Sequence, residues 1–313
     1  MKFPAILLSA LALVHGLPVD SDSSIRTLSH NIFLMSKLLY PNWAQDVRAK
    51  LIGNAEYLQG HDFVFIQEAF EASARKILVE NTKSQYPYQT EVIGFTKSGW
   101  NATLGDYRAS SAEDGGVMIL SKWPIEEKVQ YIYKKGCGAD SFSNKGFAYA
   151  KINRNGRYIH VFNTHAQAED SMCSKGEART VRKNQFLEMR RYLEGKNIPK
   201  DELVLFGGDL NVIKGSSEFS DALQTLNAVA PQYDGHEFTW DPQSNAIANW
   251  GGPKAASEYL DHIWYHKEHL GLTDFKQSAL KVKSDPYIIK KVEYRDFSDH
   301  YPVEVVATLA KTE

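Results

Sequence analysis

The chain has 313 residues, 43% hydrophobic, 12% aromatic and 24% charged, which supplies a sizeable core and excludes a disordered chain. Its two cysteines exclude a disulfide-dense mini-scaffold and a four-cysteine zinc site. The 36 Lys and Arg against 38 Asp and Glu leave a formal net charge of −2, so no basic field covers the whole chain to hold nucleic acid.

In chain order, residues 1–16 come first: Lys2, an apolar run from Phe3 to Val14, then Gly16 near a plausible cleavage point. This charged, apolar, small-residue order is that of a secretory signal, and the run is too short for a mature membrane anchor. Its removal deletes Lys2 and takes the net charge from −2 to −3. Residues 17–23 are a short N-terminal segment. No internal repeat or low-complexity linker interrupts the remainder, so 24–313 reads as a single domain of a soluble, exported protein.

Strand-like runs follow at Ile25–Phe33, Asp62–Gln67, Gly116–Leu120, Lys128–Tyr133, Leu203–Phe206, Tyr259–Tyr265 and Pro302–Leu309. Phe147–Ile152 and Tyr158–Asn163 flank Asn155-Gly156, a strong hairpin turn. Helical spacing joins Trp43, Val47, Leu51, Ala55 and Leu58, then Val181, Met189 and Leu193, then Phe219, Leu223 and Leu226. Phe63-Val64-Phe65-Ile66 is continuously apolar, as in a strand covered on both faces. The pattern implies a mixed α/β domain with a partly antiparallel sheet. An oxidising compartment permits Cys137 and Cys173 to pair, and closing that loop would stabilise the fold by roughly 4 kcal/mol; two free buried thiols are the alternative. Asn101-Ala102-Thr103 is a glycosylation sequon if the source is eukaryotic.

The informative feature lies at the strand ends. Six strand-like runs carry Asn31, Glu68, His165, Asp209 with Asn211, Asp261, and Asp299 with His300 at or near an end. One sheet edge could gather them into one cleft. Burying that many carboxylates costs several kcal/mol each by desolvation, unless a cation sits among them. Oxygen ligands without cysteine suit a hard ion, Mg²⁺ or Mn²⁺, which keeps waters and takes phosphate. Two histidines beside carboxylates form an acid–base pair, one taking a proton from water and the other supporting the leaving oxygen. No Gly-x-Ser-x-Gly elbow is present. The set suits metal-assisted hydrolysis of a phosphodiester. His30, His160, His262, His266 and His269 read as structural or surface histidines.

At these residues the chain resembles the secreted neutral sphingomyelinases C of bacteria, within the DNase I-like endonuclease/exonuclease/phosphatase superfamily. The resemblance is carried by Glu113-Asp114-Gly115-Gly116-Val117, Lys135-Gly136-Cys137-Gly138, Ser143-Asn144-Lys145-Gly146-Phe147, Gly207-Gly208-Asp209-Leu210-Asn211 and Phe297-Ser298-Asp299-His300-Tyr301-Pro302-Val303. Narrowest of all is the run from Thr164-His165 through Gln167-Ala168-Glu169-Asp170-Ser171-Met172-Cys173.

The resemblance implies a four-layer α/β/β/α sandwich with largely antiparallel mixed sheets and the site at one end. It implies Glu68 on the catalytic Mg²⁺ (Mn²⁺ or Co²⁺ substituting), Asn31 beside it and Asp299 helping to form the metal site. His300 would be the general base, with Asp261 matching an acidic position that orients a histidine. His165 would be the general acid, or would stabilise charge on the leaving ceramide oxygen. Asp209 and Asn211 would position phosphate, water and His300. The family disulfide maps onto Cys137–Cys173.

Glu113, Asp114 and Phe70 match a second, edge metal site, where Ala72 stands in place of an Asn. The family's aromatic-tipped hairpin corresponds here to Lys283–Lys291, which is shorter and lacks Trp; Tyr287, Ile288 and Ile289 would enter lipid there, or else start a buried strand. His262 stands where many relatives have Tyr and is taken as structural. The expectation is a secreted, extracellular monomer that hydrolyses membrane sphingomyelin to ceramide and phosphocholine and does not act on nucleic acid. The alternatives are a secreted DNase I-like nuclease and a catalytically inactive membrane-binding homologue.

Overall fold

The computed structural model describes residues 23–250 and 256–311, so the signal-like segment 1–16 lies outside the described residues. The elements begin with β1 (Ser24–Asn31), α1 (Gln45–Gly53), β2 (Phe63–Gln67), α2 (Ala72–Thr82), β3 (Tyr88–Gln89), β4 (Ala102–Gly105) and β5 (Met118–Ser121). They continue with β6 (Ile125–Ile132), β7 (Gly146–Arg154), β8 (Arg157–His165), α3 (Glu177–Lys196), β9 (Leu203–Asp209) and α4 (Ser217–Leu226). Last come β10 (Ala228–Val229), β11 (Gln232–Gly235), β12 (Asp261–His266), β13 (Leu272–Ala279), β14 (Tyr287–Ile289), β15 (Val292–Tyr294) and β16 (Val303–Leu309).

Two seven-stranded mixed sheets form, ordered β11-β13-β16-β1-β2-β5-β3 and β10-β12-β9-β8-β7-β6-β4, with β14 and β15 as a separate hairpin. The period-2 alternation of each strand decides the layers. Phe63 and Phe65 of β2 point between the sheets and meet Ala148, Ala150, Val161 and Leu205 in one buried cluster. Val64 and Ile66 point the other way and pack on Ala49 and Ile52 of α1 and Ala74 and Leu78 of α2. On the far side, Phe162, Phe206 and Trp264 pack on Phe186 and Met189 of α3 and Ala222 of α4. The four-layer α/β/β/α sandwich therefore follows from strands that are apolar on both faces.

Local signals place most boundaries. Asn155 and Gly156 both take positive φ, 53° and 87°, closing the β7–β8 hairpin. Ser216 Oγ accepts the Phe219 N–H at 3.1 Å and Asn227 closes α4 in the left-handed conformation. The helix expected from Trp43 to Leu58 is broken instead, since α1 stops at Gly53 and Glu56–Leu58 form a single 3-10 turn. Asn54 Nδ2 bonds back to the Lys50 carbonyl at 2.7 Å, which competes with helix continuation. Several elements had no legible signal, α2 and β13 the longest among them. Helix α2 buries only Ala74, Leu78 and Thr82, and β13 is mostly polar, with a register shift between Thr273 and Lys276. No described helix is long and apolar enough to cross a membrane.

Candidate active site

Strand register builds the site. Parallel pairing of β8 with β9 sets His165 opposite Asp209, and antiparallel pairing of β9 with β12 sets Asp261 opposite Asp209. Three adjacent strand ends thus present His165, Asp209 and Asp261 in one row. Gly208 permits this row: with φ 129°, a Cβ on it would lie 1.9 Å from the Thr164 carbonyl oxygen. In the facing sheet Asn31 pairs with Gln67, and Glu68 follows at φ 57°, a left-handed conformation that turns its carboxylate into the cleft. His300 precedes β16 and bridges to Trp240.

The side chains converge. Asn31 Nδ2 donates to Glu68 Oε1 at 2.9 Å and to Asp209 Oδ2 at 3.1 Å. His165 Nε2 lies 3.6 Å from Asp209 Oδ2 and 3.9 Å from Glu68 Oε1. His300 Nδ1 bonds Asp261 Oδ2 at 2.8 Å, which leaves its Nε2 3.8 Å from Asp209 Oδ2. Asn211 donates its backbone N–H to Asp209 Oδ1 at 3.0 Å and its amide to the Ala166 carbonyl at 3.1 Å. Ser298 Oγ bonds both Asp299 Oδ1 and the Asn31 carbonyl, tying the His300 segment to β1. Glu68, His165, Asp209, Asn211 and His300 all line one cavity of about 520 Å³.

Electrostatics mark the cluster as short of positive charge. Burial, with repulsion from Asp299 second, pushes Glu68 up to about 8. Burial and then Asp261 push Asp209 up to about 6, and burial raises Asp299. Burial alone would lower His300, but Asp261 and Asp209 outweigh it and hold the ring protonated. A general base must shed that proton, which requires positive charge among the four carboxylates. Burial, then Lys145 and His300, keep His165 neutral.

Glu68 Oε2, His165 Nδ1 and Asp261 Oδ1 are buried without hydrogen-bond partners, a costly state for polar atoms. The orphaned Glu68 oxygen beside Asn31 fits a hard divalent ion. Asp209, Asp261 and His300 also offer ligand atoms within 4.8 Å of one another. However, His300 Nδ1 is already engaged by Asp261, so that trio reads better as a histidine with its orienting acid than as a metal cage.

Of the edge set, Glu113 and Phe70 line both the main cavity and an adjoining one, while Asp114 lines only the latter. Asp114 is paired with Arg75 at 2.9 Å, which leaves Glu113, with its orphaned Oε1, as the unneutralised acid. His262 is structural, its Nδ1 on the Tyr233 hydroxyl and its Nε2 on the Val212 carbonyl, both at 2.8 Å.

The lipid-contact triplet needs correction. Tyr287 and Ile289 are buried against Trp43 and Ile247, and Ile288 alone of the three is exposed, at 61%. The alternation of a strand on an apolar support forces that split. Cys137 and Cys173 form the disulfide, with Cα atoms 5.4 Å apart.

Sequence reasoning gave Lys145 no role of its own, and its buried Nζ meets Asp140 at 2.8 Å and the Ala166 carbonyl at 3.3 Å on the cavity wall. A lysine directly before the apolar strand β7 was its available signal. Trp240 and Glu258, also on that wall, lie in loops with no periodic signal.

This fold and cleft define a metal-assisted phosphoester hydrolase. The profile of the endonuclease/exonuclease/phosphatase family matches residues 28–300, and the chain belongs to that family. Within it the chain belongs among the sphingomyelinases C. It is 45% identical over 301 residues to sphingomyelinase C of Bacillus cereus, covering 93% of this chain and 90% of that one. It is 44% identical over 315 residues to phospholipase C of Staphylococcus aureus, covering 97% and 96%. The crystal structure of a beta toxin mutant from Staphylococcus aureus with bound magnesium ions superposes with a TM-score of 0.89 at 46% identity, covering 90% of this chain and 99% of that one.

Proposed function

We propose that the protein is an exported, monomeric, Mg²⁺-dependent sphingomyelin phosphodiesterase that releases ceramide and phosphocholine. The observation that carries the reading is His165 and His300 facing each other across Asp209, beside the partnerless oxygen of Glu68. Glu68 and Asn31 would hold the ion, with Asp299 adjacent; a bound divalent ion supplies the charge that neutralises these carboxylates and the phosphoryl oxygens.

The chain's own groups do the rest. Asp261 fixes the tautomer of His300, so that Nε2 takes the proton of the attacking water. Asn211 and Asn31 hold Asp209 in place, and Asp209 positions water and phosphate. His165, neutral, would hydrogen-bond its Nε2–H to the ceramide oxygen and stabilise the negative charge that develops there, the oxygen taking its proton from solvent water. Glu113 would give the edge site its ligand, weakly, because Arg75 already neutralises Asp114. The signal-like residues 1–16 and the disulfide support export to an oxidising compartment.

The test is incubation of the mature protein with sphingomyelin vesicles in Mg²⁺ or EDTA, measuring phosphocholine, with plasmid DNA in parallel. Phosphocholine release that EDTA abolishes is expected. Plasmid nicking without phosphocholine, or vesicle binding without turnover, overturns the reading.

A further inference from the structure

On the hairpin β14–β15, Tyr287 and Ile289 are spent on the core, which leaves Ile288 at 61% and Val292 at 56% exposed. A more exposed apolar pair lies on the turn between β1 and α1. Leu38 is 88% exposed and Leu39 60% exposed, the most solvent-facing adjacent pair among the large described hydrophobics. A segment carrying two such side chains at its apex is under pressure to cover them.

The turn is rigidly held. The Leu39 and Tyr40 N–H groups donate to the Ser36 carbonyl at 3.2 and 2.8 Å, and the Leu38 N–H donates to Ser36 Oγ at 3.2 Å. Lys37 anchors its base, Nζ bonding Asp46 and Ser73 at 2.7 Å while its N–H donates to Glu71 at 2.8 Å. Ordering entropy is therefore largely spent before anything docks.

The turn is also continuous with the cleft. Met35 lines the cavity that holds Glu68 and His300. Tyr40, on the other side of the two leucines, lies in the field of Glu68, Glu113 and Asp299. From Tyr40 an aromatic path runs over Trp250, 44% exposed and 6.3 Å away between centroids, to Trp43. Lys290 at the hairpin turn sits 6.0 Å from the Trp250 ring, near exposed Ile288. Two aliphatic prongs, an amphipathic Trp beside them and flanking lysines are the profile of a segment dipping to headgroup depth.

We propose that the turn carrying Leu38 and Leu39 is the main bilayer-insertion element, with Trp250 and Ile288 as its flank, and that it presses the cleft onto the lipid surface. The occupant is a fluid bilayer: projecting prongs on a tight turn suit a deformable apolar medium, and their attachment to the cleft mouth gives insertion a consequence for turnover. This rests on the phosphodiesterase reading above.

The test is the double variant Leu38→Ser, Leu39→Ser, with Ile288→Ser alongside. Each is assayed on sphingomyelin–phosphatidylcholine vesicles, on sphingomyelin in detergent micelles, and by vesicle co-sedimentation in EDTA. The double variant should keep its wild-type thermal midpoint and lose vesicle binding and vesicle turnover roughly tenfold or more, as two leucines leave the apolar phase. Its micellar turnover should stay within about twofold, and Ile288→Ser should have the smaller effect. Unchanged co-sedimentation overturns the proposal, as does an equal loss on micelles and vesicles. A wild-type dimer that the double variant dissociates shows a second copy as the occupant and also overturns it. If the wild type hydrolyses sphingomyelin in neither form, the function reading fails, and co-sedimentation in EDTA still decides the docking surface.

Discussion

Strand β8 carries two buried histidines, His160 at 3% exposure and His165 at 5%, and they do opposite things. His160 is closed on both sides: Nδ1 meets the Tyr149 hydroxyl at 2.8 Å and Nε2 meets Glu202 at 2.5 Å. His165 has no partner on Nδ1, and its Nε2 stands 3.6 and 3.9 Å from two carboxylates without bonding either. Burial lowers the proton affinity of both. What separates these two histidines is therefore not burial but completeness: His160 has both ring nitrogens satisfied, and His165 keeps its own open on a cleft that takes water, ion and substrate.

Variants at the incomplete end should act on turnover. His300→Ala and His165→Ala should each lower it by about two orders of magnitude or more, measured as phosphocholine released; near-wild-type rates in either would remove that histidine from the chemistry. The loop after His165 leads to Cys173, and Gln167 holds the Cys137 N–H at 2.8 Å and its carbonyl at 3.1 Å. Reducing the disulfide should cost ~2–4 kcal/mol, read as a fall in denaturation midpoint. Glu68→Gln should raise the Mg²⁺ concentration for half-activation about tenfold or more; an unchanged titration would reassign the ligand.

Acidity sharpens the same contrast. Glu68 titrates near 8 in the folded cleft against 4.5 ordinarily. The folded state therefore holds the proton more tightly, and that stabilisation is fully present below about 4.5 and lost as pH rises through about 8. In EDTA, thermal midpoints should drift down across that window and drift less in Glu68→Gln; equal slopes would refute the shift. The smallest effect belongs to the complete end. His160→Gln should cost ~1–3 kcal/mol of stability and leave turnover per folded molecule unchanged, and a fall in the specific rate would blur the distinction drawn here.

Much of this was legible beforehand. The polar residues terminating β1, β2, β8, β9 and β12 stood out because each interrupts an apolar run. The Asn155-Gly156 turn announced its hairpin in two residues. Helix α2 was illegible because three buried residues make too thin a stripe, and β13 because its ladder is held by backbone pairing with β16 rather than by an apolar face. At Tyr287 the sequence left lipid contact and a buried strand both open, because apolarity alone does not say which face of a strand finds support.

The order of apolar and polar residues along the chain determined which apolar segments become strands and which of them carry chemistry at their ends, because these follow from local periodicity and residue type. Only the tertiary structure decided that His165, Asp209 and Asp261 stand in one row, that Glu68 keeps an oxygen without a partner, and that Leu38 and Leu39 rather than Tyr287 and Ile289 face outward. Those are matters of register and of what covers what. They are set by contacts between residues far apart in sequence, whose pairing free energy no local window contains.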